Sequence, residues 1–281
     1  MTERTFRQYA WRVVTTTSLE EKLTQPARGL VDEERDVAAL PIWPGRPSSL
    51  TIVPGKQARV PLIGAFQHRS ERPRILHGLA NHELQAVELF AWALLAYPDA
   101  PAAFRRGLLQ LVQEEQAHVR LYLERLSAFG TALGDFPVSG YFWNKALTLS
   151  TPLRFICAMS LTFEHANLDH ANSYAAVARA AGDDETADLL AQIESDEVRH
   201  VRFGWVWLQR FRDPDETSFA AYERSLAWPL RPAKARGETF NEESRLRAGL
   251  TPEFVQAVRD APKGPGAKGR AKPTSGCGLR A

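Results

Sequence analysis

The 281-residue chain is 44% hydrophobic and 24% charged, with a formal net charge of +2. That balance excludes an intrinsically disordered chain and supplies no overall charge for binding nucleic acid or another polyanion. Cys157 and Cys277 are the two cysteines and make no disulfide framework. The first residues lack the apolar run of a signal peptide and no apolar stretch is long enough for a membrane helix, so a cytoplasmic protein with no membrane partner is expected.

Residues 1 to about 30 read as a short helical preface, with Ser18 and Glu21 spaced as a capping box. Between 41 and 66, Pro41, Pro44, Pro47, Pro54 and Pro61 forbid a long helix and favour an extended segment, anchored by Trp43, Ile52, Val53, Leu62 and Ile63. The expected organisation is therefore an N-terminal helix and Pro-rich segment over 1–66, a helical domain over 67–230, and a polar C-terminal region over 231–281.

Helical periodicity runs from Pro73 to Ala96 and again from about Pro101 to Phe129, where Gly130 supplies a stop. A connection of some twenty residues follows, Thr131 to Ser150, longer than a tight helix–helix turn requires. A third helix is expected from Pro152 to about Ala181 and a fourth from Glu185 to Phe211, with shorter helices at Thr217–Trp228 and Pro252–Arg259. The last stretch, from Pro262 onward, holds Lys263, Lys268, Arg270, Lys272 and Arg280 without an acid, and reads as a disordered tail. Nucleic acid is expected to touch the chain through that basic tail or not at all.

Glu115 and His118 lie three apart on an apolar helix face that includes Leu108, Leu111, Val112, Val119 and Tyr122. A buried carboxylate needs a partner, and a metal ion is one that carboxylate and imidazole can share. The pair recurs as Glu197 and His200, 82 positions later. Glu83 precedes Glu115 by 32 residues and Glu164 precedes Glu197 by 33. Two helix pairs thus each carry Glu on the first helix and Glu-x-x-His on the second. Antiparallel neighbours bring residues about thirty apart level along a bundle. This is the ligand pattern of ferritin-like proteins that hold two metals in an all-α four-helix bundle, with a long crossover between helices 2 and 3.

Two divalent ions would neutralise four carboxylates that otherwise repel in a low-dielectric core. Glu115 and Glu197 are placed as bridges, Glu83 and Glu164 as terminal ligands, and His118 and His200 as nitrogen ligands. Glu88 is an alternative to Glu83, since both lie in the same apolar helix. Glu114 reads as a bystander at an exposed edge. Asn167 and Asp169 could orient a ligating imidazole, and Glu194 could support Glu197. Tyr122, four residues after His118, is either a packed core tyrosine or a redox-active one, as at the same spacing in ribonucleotide reductase small subunits.

The segments His82-Glu83-Leu84-Gln85-Ala86-Val87-Glu88-Leu89, Gly134-Asp135-Phe136-Pro137 and Asp196-Glu197-Val198-Arg199-His200-Val201 resemble the bacterial ferritin-like family catalogued as domain of unknown function 455, over roughly residues 40 to 212. The resemblance implies a ferritin-like bundle and a di-iron site, and brings no substrate with it. The expected cofactor is two iron ions, with manganese the alternative. The leading expectation is an oxidoreductase that activates dioxygen, such as a hydroxylase of a small organic or nucleoside substrate fed by an external electron donor. A ferroxidase or other iron-handling protein, or a manganese catalase or peroxidase, is the other reading, and a homodimer is compatible with either.

Overall fold

The computed structural model describes residues 3–33 and 40–263. The basic stretch 264–281 with Cys277 lies outside the described residues. Helix α1 (Phe6–Thr15) starts where the Thr5 side chain accepts from Gln8 N–H, and buries Phe6, Tyr9, Ala10, Val13 and Val14 along one face. The Ser18 hydroxyl accepts from Glu21 N–H at 3.2 Å and opens α2 (Leu19–Leu23), as the capping pattern predicts. Residues 40–71 hold no α-helix, as the prolines predict, but the segment is not extended throughout: it carries a short strand, β1 (Ile52–Val53), between two 3-10 turns, Ser48–Leu50 and Ile63–Gln67.

The longest apolar pattern becomes α3 (Arg72–Ala96), with Pro73 in its first turn, where no intrahelical N–H is lost. It is buried on nearly every side because α1, α4 (Ala102–Ala128) and the segment after α4 all pack on it. That segment carries β2 (Val138–Ser139), which pairs in parallel with β1 in the register Ile52–Val138 and Val53–Ser139. The crossover is thus stitched to the N-terminal extension, and Asn81 of α3 reinforces the seam by donating to the Ser139 carbonyl at 3.0 Å.

The expected third helix is not one continuous α-helix. It begins as α5 (Pro152–Ala158), widens into a π-helical turn over Met159–Glu164, and resumes as α6 (His165–Ala180). The Thr162 hydroxyl lies 2.7 Å from the Cys157 carbonyl, five residues back, which fits a turn one residue wider than α. Gly182, at φ 69°, closes α6 in the left-handed region, and the Asp183 side chain caps α7 (Asp184–Phe211) by accepting from Thr186 N–H.

Helices α3 and α4 pack antiparallel, as do α6 and α7, and α4 packs on α7. This is a helical bundle with a long crossover, as expected. The site depends on one close approach in it. A Cβ on Gly204 of α7 would come within 2.5 Å of the Ser160 Cβ, so glycine lets α7 seat directly on the π turn that ends at Glu164.

The C-terminal region departs from its polar reading. Besides α8 (Ser218–Ser225) and α10 (Pro252–Asp260), both near their predicted positions, residues Glu242–Arg247 form α9. Arg245 from α9 is fully buried and pairs with Asp169 of α6 through both guanidinium NH groups, at 2.7 and 2.9 Å. A charge that reads as surface in the sequence is therefore a buried tie between this region and the bundle. None of the helices among the described residues is long and apolar enough to cross a membrane.

Candidate metal centre

Among the described residues, two groups of buried side chains could each hold a metal ion: Glu83, Glu115, His118 and Glu197, and Glu115, Glu164, Glu197 and His200. Within each group the ligand atoms lie within 4.8 Å of one another, and Glu115 and Glu197 belong to both. Helix α3 presents Glu83, α4 presents Glu115 and His118, the end of the π turn presents Glu164, and α7 presents Glu197 and His200. The structure brings all six together at the centre of the bundle. Each group draws at least one member from each helix pair.

The two histidines are oriented alike. His118 Nδ1 faces inward, 3.4 Å from Glu115 and 3.8 Å from Glu83. His200 Nδ1 lies 2.9 Å from Glu115 and 3.2 Å from Glu197. These approaches are close without being aligned as hydrogen bonds. Both Nδ1 atoms, both Glu115 oxygens and Glu197 Oε2 are buried with no hydrogen-bond partner. A set of buried donors to metal that converge without satisfying one another fits a cation between them. Glu197 Oε1, in contrast, accepts from Asn167 Nδ2 at 2.9 Å.

The outward nitrogens show what the sequence reading missed. His200 Nε2 donates to Glu114 at 2.9 Å, and His118 Nε2 to Asp196 at 3.3 Å. A carboxylate only accepts, so each bond places a proton on Nε2 and leaves Nδ1 to face inward. Glu114 is therefore no bystander: it fixes the imidazole presented by the opposite helix. The signal was present as an acid immediately before each Glu-x-x-His, Glu114-Glu115 and Asp196-Glu197. It was hidden because each acid grips the histidine of the other copy, a relation that single-helix periodicity does not contain.

Electrostatics separates the carboxylates. Burial, then the Glu115 charge, drives Glu83 well above the ordinary carboxyl range; burial, then the Glu197 and Glu115 charges, does the same to Glu164. Burial would raise Glu115 as well, but the His200 and His118 imidazoles outweigh it and hold this carboxyl low. Both histidines are pushed well above their usual range: burial opposes the charge, and the surrounding carboxylates win. Without a cation the cluster retains protons, which a metal would displace.

The remaining candidates go elsewhere. Glu88 is not an alternative to Glu83 at this centre. It accepts from Arg46 Nε and Nη2 at 2.9 and 2.7 Å and from Trp143 Nε1 at 2.7 Å, and lies 3.3 Å from Lys22. The five-residue offset from Glu83 turns it to another side of α3, where these cations satisfy it. Asp169 orients no imidazole; it is saturated by Arg245, Gly237 N–H and Asn241 N–H. Glu194 bonds Ser244 and Asn241 and ties α9 to α7. Tyr122 is buried beside the cluster, and burial, followed by the charges of Glu83, Glu197 and Glu115, keeps its hydroxyl protonated.

Glu83 and Glu164 also line a cavity of about 560 Å³ between α3 and α6. Phe142 and Phe163 form one wall, stacked with centroids 4.3 Å apart, and residues 231–238 form the outer side.

The model of the family described as "Protein of unknown function (DUF455)" matches residues 5–256. The match therefore takes in the N-terminal helices and most of the C-terminal ones, beyond the span over which the motifs resemble the family. No curated protein and no solved structure matches the chain. A match over this much of the sequence places the chain in the DUF455 family.

Proposed function

We propose that the chain is a dinuclear non-haem metal oxidoreductase that activates dioxygen and oxidises a small organic substrate held in the cavity beside Glu83 and Glu164. The observation that carries this reading is the sharing of Glu115 and Glu197 between two buried ligand groups. Glu83 and His118 complete one group, Glu164 and His200 the other. Carboxylate and imidazole donors suit ferrous iron, with manganese the alternative. Two such ions would supply electrons for dioxygen reduction.

The protein's own contribution is positional. Glu114 and Asp196 hold both imidazoles in one tautomer, Asn167 holds one oxygen of Glu197, and the apolar bundle keeps bulk water from the inner side. Glu83 and Glu164, the carboxylates most inclined to hold a proton, are those that face the cavity, where they can accept or return one. Tyr122 is the proposed redox-active side chain; because its hydroxyl is protonated, an electron leaving it takes a proton along. The cavity favours this reading over iron handling, since a substrate-sized chamber beside the centre has no use in oxidising iron alone.

The test is anaerobic loading with ferrous iron, counting metal per chain, then exposure to oxygen with and without an external electron donor. Two irons per chain, lost in Glu115→Ala and His200→Ala, are expected. Fewer than two, or unchanged loading in the variants, overturns the dinuclear site. Conversion of all added iron to a ferric mineral would favour the ferroxidase reading.

A further inference from the structure

The cavity is chemically two-ended. Its inner end holds the buried carboxylates Glu83 and Glu164, and beside them the stacked wall of His82, Phe142 and Phe163, with His82 and Phe142 centroids 5.2 Å apart at an interplanar angle of 28°. Its outer end is lined by Arg231, Lys234, Arg236 and Lys263, against the single acid Glu238. Arg231 lies over the Trp228 ring at 5.0 Å, and its Nε is buried with no hydrogen-bond partner. Lys234 is exposed and marks the solvent side.

We infer that this cavity binds a small amphiphilic organic anion, its aromatic or conjugated body against Phe142 and Phe163 and its carboxylate or phosphate at Arg231 and Lys234. Three features fix this. A volume of about 560 Å³ is that of a small-molecule site. A flat body extends the existing ring stack, which prefers offset stacking. The cations gather at the outer end and the aromatic wall at the inner one, so an anionic head is held at the mouth while the apolar body enters first, and the ligand has one favourable direction of entry. The apolar body thereby lies nearest the proposed metals. The inference deepens the proposed function and rests on it for what the inner end does to the ligand; the binding itself depends only on the cavity.

The experiment titrates the full chain, metal-free and metal-loaded, with 2-naphthoate, 2-naphthyl phosphate and the neutral 2-naphthamide, followed by calorimetry. At least one anion is expected to bind about tenfold or more tightly than the amide. The tighter of the two anions identifies the head group as carboxylate or phosphate. Arg231→Gln combined with Lys234→Gln should weaken the anions about tenfold and leave the amide unchanged, which also shows that the variant is folded. Phe163→Leu should weaken all three ligands. Equal affinity for amide and anions, no binding of any of the three at millimolar concentration, or anion affinity unmoved by the double substitution would each overturn the anion site. Metal is counted in the same samples. Two metals per chain with no preference for charge sinks this inference alone. Charge-selective binding with fewer than two metals sinks the dinuclear reading and leaves the anion site standing.

Discussion

His118 reaches across the bundle to Asp196, Nε2 to Oδ2 at 3.3 Å, while the acid preceding its own glutamate, Glu114, holds His200 at 2.9 Å. The two helices that carry Glu-x-x-His therefore orient each other's ligands. Glu114→Gln and Asp196→Asn should each lower metal affinity about 10–100-fold while leaving the fold intact, because these bonds fix tautomer and ring angle without touching the ion. Competition against a chelator measures the loss, and circular dichroism checks the fold. An unchanged affinity in both variants would remove them from the site.

Glu83 and Glu88 lie on one helix and should respond in opposite ways. Glu88→Gln leaves Lys22 and Arg46 buried without their counter-charge, at a cost of about 3–5 kcal/mol. Its metal count should stay at two. Glu83→Gln removes a carboxyl whose charged form burial and Glu115 already disfavour, so the metal-free protein should be no less stable than wild type. Its metal count should fall. Denaturant unfolding of the metal-free proteins, paired with metal analysis, separates the two roles; a stable Glu88→Gln protein that loads no metal would reverse the assignment.

The bundle and the six clustered residues were legible because they follow rules of one helix at a time: apolar periodicity, capping residues and a spacing of three that repeats. What was hidden depends on contacts between helices. The repeat spacing to Glu115 favours Glu83 over Glu88, but both lie in an apolar helix, and nothing in that helix announces Arg46 and Lys22, which arrive from the N-terminal extension to satisfy Glu88. Arg245 reads as a surface charge in a polar region, since nothing near it announces Asp169, 76 residues earlier. The π turn was invisible for a related reason: Thr162 bonding to Cys157 is one of several local bonds a threonine can make.

That buried Asp169–Arg245 pair leads to a third expectation. Asp169 also accepts from Gly237 and Asn241 N–H at 2.8 and 2.7 Å, so it holds the segment that forms the outer side of the cavity. Asp169→Asn should destabilise the protein by about 3–5 kcal/mol. Amide exchange should rise first over 231–247, with α3 and α4 still protected. Uniform loss of protection across the chain would mean the pair supports the whole bundle instead.

Stability should also carry an acid signature from His77. Its Nε2 accepts from Gly134 N–H at 2.9 Å, which requires the unprotonated ring, and burial pushes its pKa from 6.5 to about 4. Between those values the unfolded chain binds the proton and the folded one does not, so stability falls as pH drops from 6.5 towards 4, by up to about 3 kcal/mol. Above 6.5 the contribution is constant. His77→Gln keeps an acceptor without titrating, so the difference between the two unfolding profiles should grow across this window. Parallel profiles would exclude the mechanism.

The sharing of Glu115 and Glu197 bears on how the molecule is built as well as on what it binds. Neither hairpin, α3–α4 or α6–α7, owns a complete ligand group, so a bound ion is a cross-brace between half-proteins. Occupancy then becomes a form of tertiary structure: at a hundred times the dissociation constant each independent ion would add about 2.7 kcal/mol against separation of the halves. Metal supply would thereby set the lifetime of the folded chain in the same act by which it equips the chain for chemistry.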